Sequence, residues 1–157
     1  MIEDVEIIPL KQICDDRGAV LHSVRVNDRA FTGFAEQYFS EVNEFIIKGW
    51  KKNKSVDQLF TVPIGDIKLV LYVDRPDSNT KSKVHEIFIG RTTNYTQVKI
   101  PKNVWYAFQA ISKGGALISN IIPVAHKDCE SINMPINNPV ISYDWSVINN
   151  FEEVRCE

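Results

Sequence analysis

The stretch QLFTVPIGDIKLVLYVD, residues 58–74, decides the fold class. It contains two runs rich in β-branched and aromatic residues, Gln58–Pro63 and Asp66–Asp74, and a tight turn at Gly65 separates them. Short apolar runs bounded by turn residues are typical of consecutive β-strands rather than of a helix. The stretch therefore predicts a strand–turn–strand unit.

The same signal recurs along the rest of the chain. Further strand-like runs are Val20–Val26, Val84–Ile89, Thr96–Pro101, Trp105–Ile111 and Ala116–Pro123. Short strands about 8–12 residues apart with turn residues between them favour an antiparallel sandwich or barrel. A helical pattern occurs only after Ser146, which is a suitable N-cap, and predicts a short C-terminal helix. We expect one all-β domain over residues 1–157.

Composition excludes several classes of protein. With 157 residues and a formal net charge of −2, the chain is long enough for one core and has no basic field for nucleic acid. It contains no run of about 18 apolar residues, and the apolar part of its acidic N-terminus is too short for a signal peptide. Cys14, Cys129 and Cys156 show no C-x-x-C spacing and are expected to be unpaired thiols. We expect a cytoplasmic protein that binds neither membrane nor nucleic acid.

Five motifs, in order, carry a resemblance to a known family. They are DDRG (15–18), FSEVNEFIIKGW (39–50), VPIGDIKLVLYVDR (62–75), IPKNVWYAFQAIS (100–112) and NNPVISYDW (137–145). Together they resemble the dTDP-4-dehydrorhamnose 3,5-epimerase family, a group of nucleotide-sugar-modifying cupins. The resemblance implies a cupin jelly roll, a homodimer, no cofactor, and a nucleoside-diphosphate 4-keto-6-deoxy sugar held inside the barrel. It also implies a role in surface polysaccharide biosynthesis.

The chemistry implied by the resemblance is proton transfer beside a ketone. The 4-keto group acidifies the protons on the neighbouring carbons. A base removes one proton, the enolate is held, and an acid returns a proton to the opposite face of the sugar.

According to the resemblance, four residues of this chain stand at or near catalytic positions of the family, and each has a side chain other than the one the family has there. Lys51 replaces the histidine base, Gln58 the lysine that steadies the enolate, and Tyr106 a second histidine. Asn120 lies near the position of the tyrosine acid. Lysine can act as a base or polarise a ketone. Tyr106 can supply a hydroxyl acid, although aromatic residues in a W-Y-A-F run are also typical of a core.

Lys51 also has a simpler interpretation. Together with Lys52 and Lys54 it forms a charge run, and such runs usually face water. The position of Lys51 in the motif favours the interior, whereas we expect Lys52 and Lys54 to stay in water.

The resemblance also assigns substrate contacts. Arg17 is expected to contact the diphosphate, and Lys48 stands where the family has an arginine. Tyr38 and Arg25 are candidate nucleotide contacts, and His126, in a predicted surface loop, is a candidate ligand contact.

A metal site is not expected, because metal-binding cupins need clustered histidines and this chain has only three separate ones. Two other functions remain open. One is a binding module that holds a nucleotide sugar or glycan without turnover. The other is a different reaction in the same pocket, such as keto-isomerisation or dehydration.

Overall fold

The computed structural model describes residues 1–146, so the predicted helix after Ser146 lies outside the described residues. The strands are β1 (Glu6–Pro9), β2 (Gln12–Asp15), β3 (Gly18–Leu21), β4 (Glu36–Val42), β5 (Ile47–Asn53), β6 (Gln58–Ile64), β7 (Asp66–Val73), β8 (Val84–Gly90), β9 (Thr96–Ile100), β10 (Val104–Ala110), β11 (Ala116–Ile122) and β12 (Ser131–Asn133). A single turn of 3-10 helix covers His126–Asp128.

The strands form two five-stranded sheets and one separate hairpin. The β6 sheet has the order β1-β9-β6-β11-β4, and the β10 sheet has the order β12-β5-β10-β7-β8. All their pairings are antiparallel. Within residues 1–146, strands β2 and β3 pair with each other and with no other strand. The two sheets pack face to face as a jelly-roll-like sandwich, which confirms the predicted all-β class.

The main core lies between the sheets. On β7, Ile67, Leu69 and Leu71 point into this core and are fully buried. Val70, between them, joins a second apolar cluster on the outer face of the same sheet. Because both faces of β7 are covered, its sequence reads as an almost continuous apolar run rather than as an alternation.

The outer face of the β10 sheet is covered by the chain that follows β12. Ile141 and Trp145 from this segment pack against Trp50 and Trp105 of the sheet. The indole rings of Trp50 and Trp145 lie 5.8 Å apart, centroid to centroid. The segment therefore covers the outer face of the β10 sheet and keeps it from solvent.

The predicted strands agree with the structure except near the N-terminus. The predicted strand Val20–Val26 ends at Leu21. The carboxylate of Asp28 accepts a hydrogen bond from the Arg25 amide at 2.6 Å, and this bond stabilises a turn instead of a strand. Within residues 1–146 no helix has the length and apolar character needed to cross a membrane.

Among residues 1–146 the prediction of unpaired thiols is wrong for Cys14, and Cys156 lies outside the described residues. Cys14 is disulfide-bonded. Cys129 is a free thiol, and its sulfur accepts a hydrogen bond from the Asn53 amide at 2.7 Å.

Candidate active site

A cavity of about 290 Å³ opens into the sandwich between the two sheets. Its lining residues are Tyr38, Ser40, Lys48, Gly49, Lys51, Phe60, Tyr106, Phe108, Ile118, Asn120 and Asn133. Small-molecule sites usually measure about 300–1,000 Å³, so this cavity matches the low end of that range. A cavity of this size suits a small ligand.

An irregularity in β5 turns two lysines toward this cavity. Tyr106 on β10 pairs with Lys51, but the next residue, Ala107, pairs with Gly49, so Trp50 is an extra residue in β5. In a regular strand, residues three apart point to opposite faces. The extra residue Trp50 shifts this alternation by one position, so the side chains of Lys48 and Lys51 point to the same face and both line the cavity.

Gly49 makes this irregularity possible. Its φ angle is +132°, a region that favours glycine. A Cβ atom at this position would lie 2.5 Å from the Cβ of Ala107 and 2.6 Å from its Cα. The close approach of β5 to β10 therefore requires glycine at residue 49.

The two walls of the cavity belong to different sheets. Lys51 and its pairing partner Tyr106 come from the β10 sheet. Tyr38 and Asn120, which are paired across β4 and β11, come from the β6 sheet. A ring in the cavity therefore has Lys51 on one side and the Tyr38–Asn120 pair on the other.

Gln58 connects the two walls from behind and is itself buried. Its Oε1 atom accepts a hydrogen bond from the Tyr106 hydroxyl at 3.3 Å and another from the Asn120 amide at 3.0 Å. The Asn120 amide also donates to the Tyr38 hydroxyl at 2.5 Å. The structure thus brings Gln58, Tyr106 and Asn120 together in one hydrogen-bond network, which also includes Tyr38. Gln58 contacts its neighbours and does not line the cavity.

The cavity is electrostatically one-sided. Among the described residues that line it, Lys48 and Lys51 are cationic and none is a carboxylate. Burial raises the pKa of the hydroxyl of Tyr106 and, to a smaller extent, that of Tyr38, so both phenols are protonated at neutral pH. Such a site favours a ligand that carries or develops negative charge.

Lys48 lies at the mouth of the cavity. Its exposed Nζ atom donates to Ser40 Oγ at 3.1 Å and to the Glu41 carbonyl at 2.8 Å. These contacts connect β5 to β4 across the opening, and they hold an ammonium at the mouth of the cavity.

The neighbouring lysines have other partners. The prediction that Lys52 stays in water is wrong, because its side chain is only 13% exposed and pairs with Asp74 at 2.7 Å. Its Nζ also lies 4.6 Å from the ring centroid of Trp105, on the outer face of the sheet. Lys54 is exposed as expected and pairs with Glu130.

Three predicted substrate contacts lie outside the cavity lining. Arg17 pairs with Asp15 at 2.6 Å on the β2–β3 hairpin, and Arg25 contacts the ring of His22 on the exposed loop after β3. His126 is exposed, but its ring packs edge-on against Tyr38 with centroids 5.1 Å apart. His126 is thus separated from the cavity by the side chain of Tyr38, whereas both arginines belong to the N-terminal region.

Sequence reasoning missed several lining residues. Asn133 reaches the cavity because β12 pairs with β5, which places Asn133 opposite Lys51. Ser40, Phe108 and Ile118 each lie two residues from a predicted site residue on the same strand. Period-two spacing from Tyr38, Tyr106 and Asn120 would have found these three.

Within the described chain, residues 1–146, no group of three or more histidine, cysteine, aspartate or glutamate side chains could hold a metal ion.

The fold and the cavity define a jelly-roll protein with an interior cavity, and comparisons with known proteins give the family. No family model matches the sequence. The structure is similar to the dTDP sugar isomerase of Desulfovibrio desulfuricans G20, with 36% identity, 94% of each chain covered and a TM-score of 0.89. The chain therefore belongs to the family of dTDP-4-dehydrorhamnose 3,5-epimerases and related dTDP-sugar isomerases, and the predicted cupin jelly roll is confirmed.

Two curated relatives match over almost their full lengths. One is the spore coat polysaccharide biosynthesis protein SpsL of Bacillus subtilis strain 168, 24% identical over 148 residues, which are 93% of this chain and 97% of that protein. The other is the probable low-salt glycan biosynthesis epimerase Agl13 of Haloferax volcanii, 27% identical over 150 residues, which are 92% of this chain and 95% of that protein.

Proposed function

We propose that this protein is an epimerase or isomerase of a nucleoside-diphosphate 4-keto-6-deoxy sugar that serves the synthesis of a surface polysaccharide. The similarity to a dTDP sugar isomerase supports the substrate class, and the two curated relatives, named for polysaccharide and glycan biosynthesis, support the pathway. The observation that carries the proposal is the position of Lys51, whose side chain lines a sugar-sized cavity without a carboxylate among the described lining residues.

Lys51 is the base in this proposal. The Lys51 ammonium first releases a proton to solvent. The freed lone pair of Nζ then takes a proton from a carbon beside the ketone, and the electron pair of the broken carbon–hydrogen bond moves onto the ketone oxygen as an enolate. The resulting ammonium balances the enolate charge inside the cavity, where such interactions are stronger than in water. Gln58 orients Tyr106 and Asn120 around the ring through the hydrogen bonds to its Oε1 atom.

Lys48 is proposed to bind the diphosphate. The cavity is too small for a complete nucleotide sugar, so the phosphates lie near the mouth, where the exposed Lys48 ammonium is held by Ser40 and Glu41. Lysine binds phosphate as a point charge, so this contact contributes to affinity rather than to the proton transfer. The His126 ring beside Tyr38 extends this rim on the opposite sheet.

A homodimer would complete the site. The β2–β3 hairpin pairs with neither sheet and exposes Ile13 and Val20, which are opposite each other and 56% and 62% exposed. Exposed apolar pairs on such a hairpin favour docking on a second copy. Arg17 and Arg25 lie in this N-terminal region, so we propose that they contact the nucleotide bound to the partner's cavity. A cytoplasmic location and the absence of nucleic-acid or membrane partners stay predictions from the sequence.

The test uses the full chain and a panel of nucleoside-diphosphate 4-keto-6-deoxy sugars in heavy water. Proton NMR follows loss of signal at the carbons beside the ketone and the appearance of a new epimer or keto isomer. We expect exchange with at least one panel member, followed by a stereochemically distinct product. Tight binding of a sugar nucleotide with no exchange would contradict the enzyme assignment and favour the binding module.

A further inference from the structure

We propose that Tyr38, rather than Tyr106, is the residue that returns the proton to the sugar. This inference rests on the proposed function, because it assigns the second half of that proton transfer. Two independent features of the cavity carry it, namely the direction of the hydrogen bonds and the wall on which each phenol lies.

The hydrogen bonds leave one phenolic hydrogen free for a ligand. The Gln58 Oε1 atom can only accept, so the Tyr106 hydroxyl donates its hydrogen to it. An amide nitrogen carries two hydrogens, and Asn120 uses one for Gln58 Oε1 and the other for the Tyr38 hydroxyl oxygen. Tyr38 therefore accepts through its oxygen and keeps its own hydrogen, for which the described residues supply no acceptor. Toward a ligand, Tyr38 is a donor and Tyr106 is an acceptor.

The position of each phenol supports the same assignment. Tyr106 is paired with Lys51 on neighbouring strands of the β10 sheet, so both side chains approach the ring from the same side. Inversion at carbon requires the proton to return from the side opposite to the base. Tyr38 projects from β4 of the β6 sheet, on the other wall of the cavity. It is therefore placed to reach the face that Lys51 cannot.

The surroundings of Tyr38 suit a reversible proton donor. Burial raises the pKa of its hydroxyl, which keeps the donor protonated at neutral pH, whereas the hydrogen bond from Asn120 opposes this shift by favouring the phenolate. When the proton moves to the enolate carbon, the carbon–hydrogen bond forms, the enolate electrons return to the ring, and Tyr38 becomes a phenolate held by Asn120. Because Tyr38 is only half-buried and lies on an edge strand, solvent can return a proton to its phenolate, and Lys51 releases to solvent the proton that it took from the sugar.

The test separates proton removal from proton return. Tyr38→Phe removes one oxygen and retains the ring that packs on His126, so the fold is expected to survive. With the panel substrate that the wild-type protein turns over, epimer formation should fall by about 100-fold or more, because general acids contribute about 10²–10⁴-fold. Deuterium wash-in with retained configuration should continue within about tenfold of the wild-type rate, since Lys51 is intact.

Two further variants make the result specific. Tyr106→Phe should lower wash-in and epimer formation together, because it disturbs the wall that carries Lys51. Tyr72→Phe removes a phenol from the outer face of the sheet and should change neither. Two results would overturn the assignment of Tyr38 and leave the proposed function standing. One is epimer formation by Tyr38→Phe within about tenfold of the wild-type rate. The other is an equal loss of deuterium wash-in and of epimer formation in Tyr38→Phe while substrate binding is intact. If the wild-type protein shows no exchange, the proposed function is overturned and the assignment with it.

Discussion

Three lysines near the end of β5 have three different surroundings. Lys51 lines the cavity, Lys52 packs under Trp105 on the outer face, and Lys54 is exposed. The sequence shows only a charge run, and strand alternation predicts that Lys51 and Lys52 lie on opposite faces without saying which is inside. The family resemblance directed Lys51 inward, and the structure agrees. The partner of Lys52, Asp74, lies 22 residues away in sequence, and no local pattern indicates this pair.

Loss of Lys52 should affect stability rather than activity. The half-buried pair with Asp74 and the contact with Trp105 together predict that Lys52→Met lowers the free energy of unfolding by about 1 kcal/mol. Urea unfolding measures this change. Lys54→Met, which removes an exposed pair, is the matched control and should stay within about 0.5 kcal/mol of wild type. A cost for Lys54→Met equal to that for Lys52→Met would contradict the assignment of their surroundings.

At the level of elements, the six consecutive strands from β6 to β11 could be predicted, and the irregularity in β5 could not. Long strands such as β7, β10 and β11 carry enough β-branched and aromatic residues to be recognised. Strand β12 has three residues, and its pairing with β5 crosses about 80 positions, so the arrival of Asn133 beside Lys51 has no local signal. The extra residue Trp50 depends on the close contact of Gly49 with Ala107, which only the folded chain shows.

Gly49→Ala should be severely destabilising. The new Cβ would lie 2.5 Å from the Cβ of Ala107, and the nearby backbone atoms of β10, Ala107 Cα at 2.6 Å and the Tyr106 carbonyl oxygen at 2.9 Å, prevent relaxation. We expect the free energy of unfolding to fall by about 3 kcal/mol or more. Gly114→Ala is the matched control, because Gly114 also has a positive φ angle, +82°, but open space around it. It should cost about 1–2 kcal/mol, the backbone contribution alone. Equal losses in the two variants would contradict the steric explanation.

At the scale of the whole molecule, the segment after β12 buries a lysine. Lys68 is fully buried on the outer face of β7, where its Nζ atom donates to the Trp145 carbonyl at 3.2 Å. Burial lowers the pKa of Lys68, while the nearby charges of Glu86 and Asp144 oppose the shift. The sequence places Lys68 in an apolar run but gives no indication that the segment through Trp145 covers it.

This burial makes stability depend on pH in a definite direction. Between the lowered pKa of folded Lys68 and the value of 10.5 expected for an unfolded lysine, the unfolded chain binds more protons. The contribution of Lys68 to the free energy of unfolding therefore increases as pH rises through that window. Urea unfolding of the wild type and of Lys68→Met at pH 7 and pH 10 measures this change. From pH 7 to pH 10 the free energy of unfolding of the wild type should increase relative to that of Lys68→Met. A difference that stays constant or moves the other way would contradict the burial of a titrating lysine.

The proposed dimer is tested through the β2–β3 hairpin. Ile13→Asp places a charge on the apolar face of this hairpin and should convert a dimer into a monomer, as measured by analytical ultracentrifugation. Val140→Asp is the matched control, because Val140 is 62% exposed on a different part of the surface and should not change the mass. Retention of the dimer by Ile13→Asp would exclude the hairpin as the interface.

Deuterium uptake by the sugar in the Lys51→Met variant tests the central claim most directly. Methionine keeps the length of the side chain and removes the amine. We predict that the rate of exchange beside the ketone falls by about 100-fold or more, with sugar-nucleotide binding retained and Lys54→Met unchanged. Exchange at the wild-type rate in a folded Lys51→Met protein would show that the proton is removed by a different group.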